Sequence, residues 1–300
     1  MLFIEDAMED KKTLILIDGH ALAFRMFFAL ERTNMQTTDH IPTWAVYGFF
    51  KAIFDLLADK KLNINPNSIA VAFDVSKATF RVEKYSEYKA NRLSMPDTLR
   101  TQLELIQEGL KALDIPIYTK MGYEGDDVIG TIASQASKKG HKTYILTGDK
   151  DSFQLVDDEG LTTVLIPSKG EIVKFNKQEV YEKMEIYPCQ VVDYKALCGD
   201  TSDNIPGIRG IGPKTASALL NEYKTLDEVY ENIEKIGAFL RDDGLFALKC
   251  NVFEHRHRKI VGFLRDDENI PGTWSAETMF RECRTNMTSL SVYRRSKFSI

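Results

Sequence analysis

The chain has 300 residues, 43% of them hydrophobic and 28% charged, with a formal net charge of −5. That length suits one large domain or a domain with an appendage, and the composition is that of an ordinary globular protein. No apolar run reaches the length of a membrane span and the N-terminus lacks a signal-peptide pattern, so the cytoplasm is the expected compartment. Cys189, Cys198, Cys250 and Cys283 form no CxxC, which excludes a zinc ribbon or dithiol redox motif and leaves free thiols as the expectation.

Thr13 to Asp18 is a continuous apolar run closed by an acid, the pattern of a buried parallel strand. Gly19 turns the chain, and helical spacing follows over His20–Leu30 and again over Ala45–Leu57. Ile69 to Asp74 is a second strand ending in an acid. Ser76–Pro96 has no clean apolar period. Helical spacing returns at Leu99, Leu103, Ile106, Leu110 and Leu113, and a short strand is expected near Ile115–Tyr118. Asp126–Ser137 reads as a helix, Lys142–Thr147 as a third strand with Gly148-Asp149-Lys150-Asp151 as its exit, and Leu161–Ile166 with Glu171–Phe175 as a hairpin. Helices are then expected at Gln178–Met184, Gln190–Cys198, Pro213–Tyr223 and Leu226–Ile236, Pro213 suiting a first helical turn. Beyond that point the pattern is irregular, with a short echo (Phe239–Asp243 and Phe263–Asp267) and a basic tail carrying Arg281, Arg284, Arg294, Arg295 and Lys297.

Strand–helix alternation predicts an α/β fold with a mostly parallel sheet. Ligands in such sheets bind beyond the carboxyl ends of the strands, which is where Asp18, Asp74 and Asp149 fall. Glu124-Gly125-Asp126-Asp127 opens a helix, and Asp151, Asp200 and Asp203 follow strand or helix ends. Singly, each acid has a plain reading as a turn, N-cap or helix-dipole residue. Nine carboxylates converging on one spot would repel unless divalent cations lay among them, and oxygen ligands point to Mg²⁺ or Mn²⁺. The expected arrangement has Asp74, Glu124 and Asp126 on one ion, Asp151, Asp200 and Asp203 on a second, Asp149 between, and Asp18 and Asp127 acting through water. Two such ions can hydrolyse a phosphodiester in line. A calcium loop at Asp149–Asp151 fails, because Phe153 stands where the third ligand should be.

Gly207–Thr215 misses the phosphate-loop pattern by one position and the dinucleotide pattern at its third glycine. It fits a helix–hairpin–helix. Gly207, Gly210 and Gly212 would let the backbone approach a DNA phosphate, with Lys214 and Thr215 adding contacts. The alternative is a tight inter-helix turn. Residues 78–100 interleave Arg81, Lys84, Lys89 and Arg92 with Tyr85 and Tyr88, which suits phosphate contact and stacking, or else a solvated connection.

Taken together, these segments resemble the 5′-nuclease family, the group that includes the 5′→3′ exonuclease domain of bacterial DNA polymerase I and its stand-alone relatives. The resemblance rests on Ile17–His20, Phe73-Asp74, Phe80-Arg81, Glu87–Arg92, Gly122–Asp127, Thr147–Asp151, Gly199–Asn204 and Gly207–Ala216, in family order. It implies a PIN-like core over 1–175 with a helical arch at about 76–96 and a helix–hairpin–helix region over 176–236; the segment 237–300 is divergent, departing from the helices with which the family continues. It implies hydrolysis of 5′ ends and 5′ flaps of DNA by a monomer, with catalysis resting on Asp74, Asp149, Lys89, Arg81 and Arg92. Lys89 would stabilise the transition-state phosphate, Tyr88 would stack on a base, and the hairpin would hold K⁺. Gly125 departs from the family's usual alanine, and no polymerase-like stretch follows, so a stand-alone protein or a fragment is expected. A non-catalytic DNA-binding protein and a PIN-type ribonuclease are the alternatives, the hairpin speaking against the second.

Overall fold

The computed structural model describes residues 11–236, apart from 77 and 169. The echo, the basic tail, Cys250, Cys283 and the divergent segment lie outside the described residues.

Six strands form one sheet: β1 (Thr13–Asp18), β2 (Ser68–Ala72), β3 (Ile117–Tyr118), β4 (Lys142–Leu146), β5 (Thr162–Ser168) and β6 (Glu171–Phe175). Their order is β3-β2-β1-β4-β5-β6, parallel throughout except for the antiparallel β5–β6 hairpin. The chain therefore winds outward one way from β1 through β2 to β3, then returns to β1's other side at β4 and winds the opposite way. That reversal opens a crevice past the ends of β1 and β4, the place where such sheets bind ligands.

β1 is buried on both faces, and its period of two divides the core. Leu14 and Leu16 face one cluster, with Val128, Ile129 and Ile132 of α5 (Gly125–Lys138). Ile15 and Ile17 face another, built on α1 (Gly19–Leu30), α2 (Trp44–Ala58) and α4 (Asp97–Ala112) through Leu22, Phe49, Ile53 and Ile106. The first cluster also takes the later helices, α7 (Val191–Cys198), α8 (Pro213–Tyr223) and α9 (Leu226–Glu231), by way of Leu197, Leu219, Leu220 and Val229. The late helices thus bring the 199–212 connection to the strand ends.

The expected elements form with small shifts at their ends. The helix read at Gln178–Met184 is α6 (Lys177–Met184). The one read at Gln190–Cys198 begins with a 3₁₀ turn, Pro188–Gln190, before α7. Leu226–Ile236 breaks at Asn232 into α9 and α10 (Ile233–Ile236). Among the described residues of 76–96 there is one short helix, α3 (Phe80–Lys84), followed by successive turns. Its mixed charges and lack of an amphipathic stripe leave a longer helix nothing to pack on. No helix among the described residues is long and apolar enough to cross a membrane.

Candidate metal centre and nucleic-acid interface

Asp18 ends β1 and caps α1, accepting from the Ala21 N–H at 2.9 Å and from Thr147 Oγ1, just past β4, at 2.9 Å. Burial, with Asp74 and Asp149 nearby, pushes its carboxyl up to about 7. Asp74, just beyond β2, accepts from the Gly125 N–H at 2.5 Å. A Cβ on Gly125 would lie 3.3 Å from that same Asp74 oxygen. The alanine usual in the family would therefore press on a carboxylate that glycine leaves unhindered. The Asp74 N–H donates to His20 Nδ1 at 3.1 Å, and burial holds the His20 pKa down, so the imidazole is neutral with its proton on Nε2.

Asp126 is raised well above the carboxylate range, by burial first and then by Asp18 and Asp149. Its Oδ1 is buried and meets no hydrogen-bond donor. Asp149 begins the 3₁₀ segment Lys150–Leu155 and accepts from the Asp151 N–H at 2.9 Å. Asp151, Asp200 and Asp203 each offer a carboxylate oxygen within 4.8 Å of the others. Burial and Asp149 push Asp151 up to about 7 against the pull of Lys195. Glu124, Asp126, Asp149, Asp151, Asp200 and Asp203 line one cleft with Arg81, Tyr88, Lys89, Arg92 and Ile205. The donor set is all carboxylate oxygen, and one buried oxygen lacks a donor. That chemistry fits a hard divalent cation, since a cation is what makes such acids stable when ionised.

Three expected members of the metal set are placed differently. Asp127 is fully buried, and both its oxygens accept from the Arg81 guanidinium, at 2.6 and 2.7 Å. One of them also caps the Glu124 N–H at 3.1 Å, so Asp127 is a structural partner and not a wall of the cleft. Glu124, expected on the first ion with Asp74 and Asp126, accepts from Lys89 Nζ at 2.9 Å and lies 3.0 Å from the Tyr88 hydroxyl. Asp18, expected to act at a distance, instead crowds Asp126.

The arch residues also differ from expectation. Arg81 is 1% exposed and locked to Asp127, so it anchors the arch while forming part of the cleft wall. Tyr88 is 5% exposed, with its hydroxyl 3.0 Å from Glu124 and 3.1 Å from Asp203. One phenolic proton serves two carboxylates, and burial between them drives the phenol pKa far up. Its ring packs against Ile205 and is not presented to a base in this structure. Lys89 and the half-exposed Arg92, by contrast, carry their charge at the cleft, Arg92 pairing with Asp203 at 2.5 Å.

Lys195 was not singled out in the sequence. Its ammonium bridges Asp151 and Asp200, acids from two separate segments. Burial disfavours its charge, but the two acids more than offset that and raise its pKa. A lone lysine inside Tyr194-Lys195-Ala196-Leu197 carries no signal of that role, because only the packing of α7 against the 3₁₀ segment brings it there.

In the hairpin, Gly210 has φ +82, which favours glycine. Gly207 is needed for close packing: a Cβ there would lie 2.3 Å from the Cys198 carbonyl carbon. A Cβ on Gly212 would meet open space, and Gly212 precedes α8 without a side-chain cap, next to the exposed Lys214 and half-exposed Thr215. The N-terminus of α8 is therefore uncapped and uncrowded at Gly212, which suits a phosphate.

Residues 13–185 match the family model described as 5′-3′ exonuclease, N-terminal resolvase-like domain, and residues 186–255 the one described as 5′-3′ exonuclease, C-terminal SAM fold. DNA polymerase I of Mycobacterium bovis is 42% identical over 259 residues, covering 85% of this chain and 28% of that protein. DNA polymerase I of Chloroflexus aurantiacus is 45% identical over 224 residues, covering 74% and 23%. The chain thus spans under a third of the length of these relatives. Among solved structures, T5 5′-exonuclease with bound zinc superposes with TM-score 0.64 at 22% identity, covering 84% of this chain and 90% of that one. A variant of the bacteriophage T5 D15 flap endonuclease, in a pseudo-enzyme-product complex with DNA and metal ions, gives 0.63 at 19%, covering 93% of each. At these identities the two structures speak to the fold.

Proposed function

The chain belongs to the 5′-3′ exonuclease family, and from that premise we propose that it is a divalent-metal-dependent 5′→3′ exonuclease and 5′ flap endonuclease acting on DNA. The observation that carries the reading is the cleft itself. Glu124 and Asp126 at the start of α5, Asp149 and Asp151 past β4, and Asp200 and Asp203 of the α7–α8 connection line it, with Asp18 and Asp74 close enough to act on Asp126 and three of the acids within 4.8 Å of one another.

Asp18, Asp74, Asp126 and Asp149 form the donor set for one Mg²⁺ or Mn²⁺, and Asp151, Asp200 and Asp203 that for a second. Bound there, paired dications supply Lewis acidity and charge neutralisation for in-line phosphodiester hydrolysis. The chain's own side chains do the rest. Lys89, held beside Glu124 with its ammonium 4.8 Å from the centre of the Tyr88 ring, carries a fixed positive charge at the cleft mouth for the charge that builds on the scissile phosphate. Arg92 reaches phosphate oxygens from its half-exposed position. The open N-terminus of α8, with Gly212, Lys214 and Thr215, holds a duplex phosphate without reading sequence. The hairpin carbonyls are suited to K⁺. The substrate class is DNA with 5′ ends, flaps or single-strand junctions, met during replication and repair in the cytoplasm, and the chain acts as a monomer.

A 5′-labelled flap substrate with Mg²⁺ tests this. The wild-type chain should cut it and excess chelator should stop it, while Asp74→Ala or Asp149→Ala should lose at least roughly 10²–10³-fold in kcat and keep flap binding. Wild-type protein that binds flaps but cuts none across several divalent ions would overturn the reading.

A further inference from the structure

Residues 85–91 have no helix or strand of their own. Internally the segment makes only successive turns, Tyr88 N–H to the Tyr85 carbonyl at 3.0 Å and Ala90 N–H to the Glu87 carbonyl at 3.1 Å. Within it Lys89 stands at φ +57, a left-handed conformation that a lysine keeps only when its surroundings hold it there.

What holds it is the metal loop. Asp200 and Ile205 exchange backbone hydrogen bonds at 2.8 Å, closing residues 201–204 into a tight turn. All four carbonyls of that turn accept from the arch. The Thr201 carbonyl takes Asn91 Nδ2 at 2.8 Å, and that of Ser202 takes Arg92 Nε at 3.4 Å. The Asp203 carbonyl takes the Lys89 N–H at 2.9 Å, and that of Asn204 takes the Tyr85 hydroxyl at 3.2 Å. One side-chain donor reaches back the other way: Asn204 Nδ2 donates to the Glu87 carbonyl at 2.7 Å. Asn204 is itself at φ +57, a position that favours asparagine or glycine.

We propose that Asn204 is a positioning residue that clasps residues 85–92 to the 200–205 turn, and so sets Lys89 and Arg92 over the acid cleft. It touches no reacting atom. It sits at the sole turn residue that both accepts from the arch and donates to it by side chain among the described contacts. The proposal builds on the nuclease reading for its kinetic arm only.

Asn204→Gly tolerates the left-handed backbone and removes the side-chain amide that donates to the arch. In DNA-free protein with chelator, hydrogen–deuterium exchange at 85–92 should quicken about tenfold, the scale of one lost hydrogen bond, with β1 and β4 unchanged. In the flap assay kcat should fall about tenfold while KM moves little. Tyr85→Phe, which removes the reciprocal donor from the arch side, should act in the same direction with a smaller effect. Unchanged exchange at 85–92, or exchange that quickens equally in β1 and β4, would overturn the clasp. Faster exchange with full kcat would overturn its role in setting Lys89 and Arg92. The exchange result stands even if the wild-type chain cuts nothing, so the clasp and the nuclease reading fail separately.

Discussion

Asp18, Asp126 and Asp149 crowd together at the strand-end side of the cleft and repel one another, whereas Glu124, Asp200 and Asp203 across it, and Asp127 buried behind it, each face a cation. The partners are Lys89, Arg81, Lys195 and Arg92. Asp18 and Asp126 on one side and Asp200 on the other titrate in opposite directions. Burial raises Asp18 and Asp126. Asp200 sits below its usual range despite its partial burial, because Lys195 and Ser202 hold the ionised form. The unpaired half is stable as a set of carboxylates only with cations from outside, while in the paired half the chain supplies cations of its own, with which a metal on Asp151, Asp200 and Asp203 would compete.

The largest break in that contrast would come from the Arg81–Asp127 pair. Arg81→Met leaves a carboxylate buried without its bidentate partner, and should cost about 3–5 kcal/mol of stability in urea denaturation. Arg81→Met combined with Asp127→Leu should recover much of that loss, because no lone charge remains. If the single variant is as stable as the wild type, the pair is not what anchors the arch to α5.

Lys195→Met would turn one end of the paired half into a copy of the unpaired one. With chelator present it should lose about 1–3 kcal/mol, and the rise in melting temperature on adding Mg²⁺ should grow, since a competing cation has gone. A smaller Mg²⁺-induced rise than in the wild type would show that the lysine supports the site and does not compete for it.

The smallest effect concerns pH. Unfolded aspartates titrate near 3.8, and folded Asp18 and Asp151 near 7. Between those values the folded state binds more protons than the unfolded one, so stability falls as pH rises through the window. Chelated protein should melt a few degrees lower at about pH 7 than at about pH 5, and Mg²⁺ should flatten the slope. A chelated protein that gains stability over that range would mean the strand-end acids are already neutralised from within.

Much of this was legible in the sequence because it rests on local rules. Apolar runs closed by Asp18 and Asp74, and the Lys142–Thr147 run leading to Asp149, marked strand ends, and topology then required those ends to meet. The sheet, the helix starts at Gly125 and Pro213, and the acids lining the cleft were all accessible that way. The resemblance to the 5′-nuclease family rested on the same motifs and stands in the family matches. Partner choice was not accessible. Nothing in Glu124-Gly125-Asp126-Asp127 says that the last acid serves an arginine 46 residues earlier while the one before it has an oxygen without a donor. Nor does Glu87–Arg92 show that Tyr88 turns inward.

The chain's own order of residues therefore determined that acids would gather at one end of a parallel sheet, because strand periodicity and connection rules act over short stretches. Only tertiary packing decided which acids pair with Arg81, Lys89, Arg92 or Lys195 and which crowd one another. Those choices join residues 35 to 111 positions apart or bridge separate segments, and they depend on distances of a few ångström that no local pattern encodes.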